Sequence, residues 1–534
     1  MPRFIPPTQW RLRNRILLML ALFALAFGGP FFAPLWEMSD LDPGLTIPMG
    51  VLGSVGSILS WTLLAVWLFF FSYVPLKVRM VLLGLAVLYA ALIDDIQLDS
   101  YRRPILHHRW QSRPGDVLTK YLEDQPPELA DDSLLDLTID PVNDFPRFRG
   151  ANGDGLVNPT KLLDLKWGEA NAPRKKWQHP CGGGFSALAV AGNVAITLEQ
   201  READEAIVCY DRDTGGQRWV YAYPAAFRHF TGHGPRATPT ISDGRVYSLG
   251  ATGHLVCVEG KSGKPLWTRN ILDDAGAKAV TWGMTSSPLV VDGLVVVNAG
   301  IDPKNNAGKA VIAYRAKDGE IAWASGTHPA AYSAALVATL AGRPQVVLFD
   351  DAGVGGYGLE SGTELWRFPW PSHTDGNVSM PLTFEGDRVF ISSETGKGCA
   401  MLRVQRRGEA FEAVELWANN NLCTRYSNPI RMGNAIYGLS SGYLVCLDIE
   451  TGKRYWRSRQ CYKNGQVIGV AGTVLVQTED GEIVSVTADP RKLTVQGRFK
   501  VFDERAWNTP ALAGRWLYLR NEAEMACYEL PLKE

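Results

Sequence analysis

Seven polar or aromatic residues in the C-terminal three-quarters of this chain stand just before short strand-forming runs. They are His233, Arg236, Trp282, Asn377, Arg425, Trp507 and Asn508. If those strands begin around one axis, the side chains converge on a rim, where guanidinium groups bind carboxylates bidentately. These residues therefore predict a site for an anionic or planar ligand. The alternative interpretation is that they satisfy backbone groups at strand starts and hold a channel closed.

A repeated sequence motif predicts the elements that must position these residues. Its first copy runs from Asp211 to Trp219, where a Thr-Gly turn precedes a tryptophan by four residues. Tryptophans recur in this way at intervals of 39–56 residues, at Trp219, Trp267, Trp323, Trp366, Trp417 and Trp456. A period in the forties is typical of a repeat array. A large ring at a fixed place in an outer strand can dock between neighbouring sheets, so we expect these tryptophans to be structural rather than catalytic.

Each period reads as four short strands. Between Thr238 and Trp267, β-branched and aromatic runs alternate with Gly-containing turns, which indicates an antiparallel meander. Radial stacking of several such sheets buries both faces of each and leaves only short edges. The sequence therefore predicts an all-β propeller over residues 145–534, with eight blades and seven as the fallback. The eighth blade ends one strand short, and Leu162–Trp167 is the candidate for its missing strand.

The phrase Asp-x-x-Thr-Gly-x-x-x-Trp resembles the repeat of the pyrroloquinoline-quinone (PQQ)-like β-propellers, and the resemblance covers roughly residues 145–531. This superfamily includes quinoprotein dehydrogenases and the propeller lipoprotein of the outer-membrane protein assembly machinery. Phe148–Gly155 also looks like the lead-in of bacterial PQQ-like repeat proteins without a settled activity. The resemblance implies the propeller fold, whereas function must be argued from a site.

The dehydrogenases of this superfamily imply PQQ with calcium as a possible cofactor pair. Their alcohol-oxidising members carry adjacent cysteines, a Glu/Asn/Asp calcium cluster and an Asp base. No two cysteines are adjacent here, although glucose-oxidising relatives lack that pair too, and no calcium cluster is recognisable. Asp350, Asp351 and Glu394 read as isolated carboxylates in turns. We therefore expect no cofactor, metal or catalytic residue, and keep PQQ with calcium as the alternative.

Residues 1–96 are predicted to form a membrane anchor with spans at about 16–36, 50–75 and 78–95. The third run is the weakest and ends at two aspartates, so it spans the membrane or lies in the interface. With three spans, the arginines before the first run place the N-terminus in the cytoplasm and the propeller in the periplasm of a bacterial inner-membrane protein. With two, the propeller would be cytoplasmic. Residues 97–144 are predicted to be a juxtamembrane linker, and its basic start is a candidate for contact with lipid head groups.

Charge is balanced, with 54 basic and 55 acidic residues and a net charge of −1, which gives no support to nucleic-acid binding. Four of the eight cysteines fall in third strands and are expected to be buried thiols: Cys209, Cys257, Cys446 and Cys527. Four lie near turns, where an oxidising compartment would allow pairing: Cys181, Cys399, Cys423 and Cys461.

Two functions from different classes follow. The favoured one is a membrane-tethered, extracytoplasmic propeller that binds a protein or a small ligand through its rim without catalysis. The alternative is a membrane-bound, PQQ-dependent dehydrogenase that oxidises a sugar or an alcohol. The blades lack the long insertions that build the pocket of the dehydrogenases, and cofactor ligands are missing. Both features favour the first function. Several membrane spans favour the second, because a scaffold needs only one anchor.

Overall fold

The computed structural model describes residues 75–98, 104–125, 135–302, 304, 308–371, 376–393 and 396–533. The chain divides into two compact units, Met1–Ser112 and Arg113–Glu534. The predicted span at 16–36, and all but the last residue of the span at 50–75, lie outside the described residues.

In the first unit, the third apolar run forms helix α1 (Leu76–Ala91), none of whose residues is buried. An antiparallel hairpin of β1 (Ile93–Leu98) and β2 (Pro104–His108) follows it. Over the part of the chain that is described, no helix is both long enough and apolar enough to cross a membrane.

The second unit begins with helix α2 (Pro114–Asp124), which starts on a proline that is preorganised for a first turn. Leu118 of α2 is buried, and the Tyr121 ring stacks on His179 with 5.3 Å between ring centroids. The predicted linker 97–144 therefore contains regular structure. Two further short helices interrupt the strands, a 3-10 turn (Glu169–Asn171) and α3 (Ile271–Ala275).

The rest of this unit consists of eight sheets, seven with four strands and one with five, so the prediction of an eight-bladed all-β propeller is confirmed. Blade 1 contains β5 (Ala189–Ala191), β6 (Val194–Arg201), β7 (Asp204–Asp211) and β8 (Gln217–Pro224). Blade 2 contains β9 (Thr240–Ser242), β10 (Arg245–Leu249), β11 (His254–Glu259) and β12 (Pro265–Asn270). Blade 3 contains β13 (Leu289–Val291), β14 (Leu294–Asn298), β15 (Val311–Arg315) and β16 (Ile321–Ser325). Blade 4 contains β17 (Leu336–Leu340), β18 (Arg343–Phe349), β19 (Gly353–Gly358) and β20 (Glu364–Pro369).

The remaining blades continue in the same order. Blade 5 contains β21 (Leu382–Phe384), β22 (Arg388–Ser392), β23 (Cys399–Arg407) and β24 (Ala410–Asn419). Blade 6 contains β25 (Ile430–Met432), β26 (Ala435–Ser440), β27 (Tyr443–Asp448) and β28 (Arg454–Cys461). Blade 7 contains β29 (Gln466–Val470), β30 (Thr473–Gln477), β31 (Glu482–Thr487) and β32 (Val495–Lys500), and β3 (Leu156–Val157) adds a parallel fifth strand. Blade 8 contains β33 (Ala511–Ala513), β34 (Trp516–Arg520), β35 (Glu524–Glu529) and β4 (Arg174–Pro180).

The strand that completes blade 8 comes from the start of the propeller, but the prediction that Leu162–Trp167 supplies it is wrong. The strand is β4, which pairs antiparallel with β35. Leu163 makes only an isolated bridge to Leu532. β4 carries a tryptophan in the repeat position, since Trp177 Nε1 donates to the Arg212 carbonyl of blade 1 at 3.2 Å. This interblade bond ties the ends of the ring together.

The repeat tryptophans lie at the interfaces between successive blades. Trp219 Nε1 donates to the Gly260 carbonyl of the next blade at 3.0 Å. The equivalent donors and acceptors are Trp267 with Ala316, Trp323 with Leu359, Trp417 with Ile449 and Trp456 with Asp489. The next Thr-Gly or Ser-Gly turn lies against the ring: a Cβ on Gly263 would sit 2.5 Å from the Trp219 ring. Trp366 differs, because its indole N–H donates to Gln345 within its own blade.

Residues 145–157, which we call the lead-in segment, run across the ring between blades 1 and 2 on one side and blades 6 and 7 on the other. Phe145 bridges to Val190 of blade 1, and the Pro146 carbonyl accepts from the Ile241 amide of blade 2. Arg149 is 2% exposed and donates to the Pro429 carbonyl, next to blade 6, at 2.7 Å. The segment then enters blade 7 as β3, so a single stretch of chain links opposite sides of the ring.

All eight cysteines lie in the described part of the chain, and none of them forms a disulfide bond there. The four predicted from the third-strand pattern are buried, as expected. Three of the turn cysteines are buried as well, and Cys461 is half-buried.

Candidate functional site

A cavity of about 160 Å³ lies on the propeller axis, where the innermost strands begin. We call it the channel mouth. Its aromatic walls are Phe148, Phe185, Trp282, Tyr332, Tyr426 and Trp507. Its polar lining includes Thr231, Arg236, Thr238, Thr285, Ser287, Asn428, Gln466 and Thr509. Phe148 belongs to the lead-in segment, so that segment contributes to the wall of the cavity.

Five of these rings form a continuous series that we call the aromatic belt. Tyr332 stacks on Trp282 with centroids 5.0 Å apart, and Trp282 meets Tyr426 edge-on at 5.6 Å. Tyr426 then meets Trp507 at 5.8 Å, and Trp507 stacks on Phe185 at 5.5 Å. Each ring comes from a different connection between blades, so the ring closure of the propeller brings them together. Such pairs contribute about 0.5–1.5 kcal/mol each beyond burial, which makes the belt a preorganised surface.

Arg236 closes the gap beside the belt. Its guanidinium carbon lies 5.3 Å from the Phe185 ring centroid and 4.6 Å from that of Phe227. It donates to the Gly232 carbonyl at 2.9 Å and also to the Gly234 carbonyl. Burial lowers the pKa of Arg236 to about 10, although nearby carboxylates oppose the shift, so the group is still a cation at neutral pH.

Charged neighbours support the belt from outside the cavity. Arg505 lies 4.2 Å from the Trp507 ring centroid and forms an ion pair with Glu522. Trp507 Nε1 donates to Glu479 Oε2 at 2.8 Å. Arg425 lies over the Tyr426 ring at 4.9 Å. These contacts hold the rings in place, since each fixes one end of an aromatic side chain.

The structure brings three of the seven predicted rim residues into the cavity wall, namely Arg236, Trp282 and Trp507. Arg425 does not line the cavity, but it lies over the ring of Tyr426, which does. His233 is half-buried in the connection that carries Arg236, and its Nδ1 accepts from the His229 amide at 3.3 Å.

The two predicted asparagines have structural surroundings instead. Asn377 is fully buried, donates to the Asp350 carbonyl at 2.7 Å and accepts from Ser393 Oγ at 2.6 Å. Asn508 is buried and donates to the Ser186 carbonyl at 2.9 Å. For these two residues, the interpretation that they satisfy backbone groups at strand starts describes the geometry.

Sequence reasoning missed Phe185 and Tyr332, which complete the belt. A signal was present, because each directly precedes a buried serine at a blade opening, Ser186 and Ser333. Tyr426 occupies the same position before a buried serine. Aromatic-Ser pairs at blade openings therefore mark belt positions in this chain.

PQQ with calcium would need a cavity wide enough for a fused tricycle and several convergent oxygen ligands for the metal. Among the described residues, no three His, Cys, Asp or Glu side chains come together as a metal site requires. The nearby Glu205 is also engaged, since it accepts from the Ala251 amide at 2.9 Å and from Tyr223 at 3.0 Å. Ligand clefts typically measure about 300–1,000 Å³. An engineered cavity of about 150 Å³ in another protein binds benzene, so this cavity matches a single ring rather than a fused tricycle.

Radial blades, joined by tryptophans that dock on Gly turns, define an eight-bladed propeller of the PQQ-like class with an aromatic-lined mouth. The family model described as outer membrane protein assembly factor BamB matches residues 167–268 and 203–458. The chain belongs to this family of PQQ-like β-propellers.

Solved structures share the fold at low sequence identity. BamB from Moraxella catarrhalis is 13% identical with a TM-score of 0.50, over 67% of this chain and 100% of that one. A quinohemoprotein alcohol dehydrogenase from Comamonas testosteroni is 11% identical with a TM-score of 0.52, over 76% of this chain and 84% of that one. The quinohemoprotein alcohol dehydrogenase ADHIIG from Pseudomonas putida HK5 is 12% identical with a TM-score of 0.52, over 76% and 83%. No curated protein matches the chain significantly.

Proposed function

We propose that this protein is a non-catalytic binding module whose channel mouth receives one planar side chain of a partner protein. The aromatic belt around a cavity of about 160 Å³ carries the proposal. Aromatic and arginine side chains in preformed pockets supply most of the binding energy at protein interfaces. Because ring contacts and outer ion pairs hold the belt, binding orders few side chains and loses little entropy.

The family supports a protein as the partner. Its description names an assembly factor of outer-membrane proteins, which is a role exercised on other proteins. We extend only this general property to the present chain. No cofactor or metal is part of the proposal.

The proposal includes a membrane tether with the propeller on the periplasmic side of a bacterial inner membrane. It rests on the apolar runs at 16–36, 50–75 and 78–95 and on the arginines before the first run. The exposed apolar side chains of α1, including Val81, Leu85 and Leu88, also support a lipid environment for the first unit. Protease protection of tags at either end of the chain, in sealed inner-membrane vesicles, tests this orientation.

Selection from a random peptide display library on the intact, detergent-solubilised protein tests the binding function. We expect enrichment of peptides with an aromatic residue, and loss of their binding when Trp282→Ala and Trp507→Ala are combined. Tyr455→Ala is the matched control, because that aromatic residue is 49% exposed on outer strand β28. Peptides that bind the double variant as well as the unmodified protein would show that the mouth is not the site.

A PQQ-dependent dehydrogenase is the second candidate, favoured by the fold shared with two quinohemoprotein alcohol dehydrogenases. Calorimetry with PQQ in the presence and absence of calcium separates the two functions. The binding-module proposal expects no calcium-dependent uptake of PQQ. Tight calcium-dependent binding would overturn it and direct the search to sugar and alcohol substrates.

A further inference from the structure

We propose that the channel mouth is selective for an aromatic carboxylate, whose ring enters the aromatic belt while its carboxylate pairs with Arg236. This inference deepens the proposed function and rests on it. It adds a charge requirement that ring binding alone does not impose.

Arg236 is the cation that lacks a carboxylate partner in the cavity wall. Among the described residues, no carboxylate oxygen lies within 4.0 Å of it, and its guanidinium donates hydrogen bonds to the Gly232 and Gly234 carbonyls. These two bonds use two of the five N–H donors of a guanidinium. Glu522 and Glu205 act on this largely buried cation only from beyond ion-pair distance, so an anionic ligand that reaches it gains a charge-assisted, bidentate contact.

Arg505 differs from Arg236 in this respect. It lies beside the same belt but already forms an ion pair with Glu522. Its charge is compensated, and it does not line the cavity. Arg236 does line the cavity, and its guanidinium is fixed between two rings, Phe185 and Phe227. A fixed fork loses little entropy when it binds a carboxylate.

Size and position limit the ligand further. The cavity holds one ring, and Phe185 belongs both to the belt and to the surroundings of Arg236. The ring and the carboxylate of the ligand must therefore be close neighbours in one small unit. Both the C-terminal aromatic residue of a partner chain and a free aromatic acid offer this chemistry.

Calorimetry on the intact protein with the peptide Gly-Ser-Gly-Ser-Phe tests the inference, using the free C-terminal acid and the C-terminal amide. We expect the acid to bind at least tenfold more tightly than the amide. N-acetyl-phenylalanine forms the third arm: equal affinity to the peptide acid assigns the ligand to free aromatic acids, and weaker binding assigns it to chain termini.

Arg236→Gln is expected to reduce the affinity for the acid to that for the amide, while the affinity for the amide stays unchanged and reports an intact mouth. Arg228→Gln removes a charge from an exposed position of the same connection and should leave the ratio unchanged. If the variant at Arg236 does not fold, the ratio of the affinities of the unmodified protein for the acid and the amide decides whether a carboxylate is required. A ratio below twofold overturns the carboxylate requirement but leaves ring binding intact, whereas no binding of either peptide overturns the proposed function as well.

Discussion

Replacing Trp219 with phenylalanine measures how much a repeat tryptophan stabilises the contact between two blades. The indole N–H of Trp219 donates to the Gly260 carbonyl across the interface at 3.0 Å, and the side chain is only 8% exposed. Phenylalanine keeps a ring at this place but removes the donor. The Gly260 carbonyl is then left without that partner inside a buried interface, which costs about 1–3 kcal/mol.

Trp456 provides the matched comparison. It makes the same type of bond to the Asp489 carbonyl at 2.9 Å, but in a half-buried position. Water can replace the lost donor there, so Trp456→Phe should cost about 0.5–1.5 kcal/mol. The two variants differ mainly in the access of solvent to the orphaned carbonyl.

Urea unfolding of the intact protein, followed by far-UV circular dichroism, gives the free energy of unfolding for both variants. We expect Trp219→Phe to lower the midpoint more than Trp456→Phe, with an unchanged slope. An equal effect of the two substitutions, or no effect at Trp219, would refute the argument that buried interblade hydrogen bonds stabilise the ring.

Three further predictions use the same structure. Gly263→Ala should lower the free energy of unfolding in urea by more than Gly244→Ala does. Both glycines have positive φ, but only at Gly263 would a Cβ collide with the Trp219 ring. Equal losses of unfolding free energy in the two variants would contradict this. Burial lowers the pKa of His179 below 6.5, so its stabilising contribution is complete above pH 6.5 and declines as the pH falls below that value. The urea midpoint should therefore fall less between pH 7 and pH 5 in His179→Asn than in the unmodified protein, and parallel pH profiles would exclude the effect. Iodoacetamide should label Cys461 first in the native protein, because the other seven thiols are buried. Peptide mass spectrometry identifies the labelled residue, and faster labelling of another cysteine would show that its thiol is accessible rather than buried.

The number of blades could be predicted from the sequence because the Gly-containing turn and the tryptophan that follows it are local signals with a direct physical cause. In the repeats that have this turn, the Gly at positive φ packs against the tryptophan of the preceding blade, as Gly263 does with Trp219. The tryptophan four residues after that Gly packs against the next blade, as Trp267 does with Gly319. The closing strand could not be identified in the same way from its hydrophobicity. Leu162–Trp167 is apolar enough for a strand, but β4 pairs instead, and only its Trp177 occupies the repeat position.

The site was partly predictable for a similar reason. Residues before blade openings face the axis, so position alone predicts Arg236, Trp282 and Trp507. Position does not tell whether a side chain points into the channel or back to the strand starts, so it predicts Asn377 and Asn508 equally. That orientation depends on the neighbouring blade, which is remote in sequence.

The pairing of β4 with β35 also determines when the propeller can be completed during biosynthesis. β4 leaves the ribosome before every antiparallel strand of blades 1 to 7, whereas its partner β35 follows all of these strands. Blades 1 to 7 can therefore form sheets while the polypeptide grows, but two strand edges stay unpaired until β35 has been synthesised. We expect the nascent chain to depend on chaperones most strongly just before β35 emerges, and truncation before β35 to yield an aggregation-prone open ring.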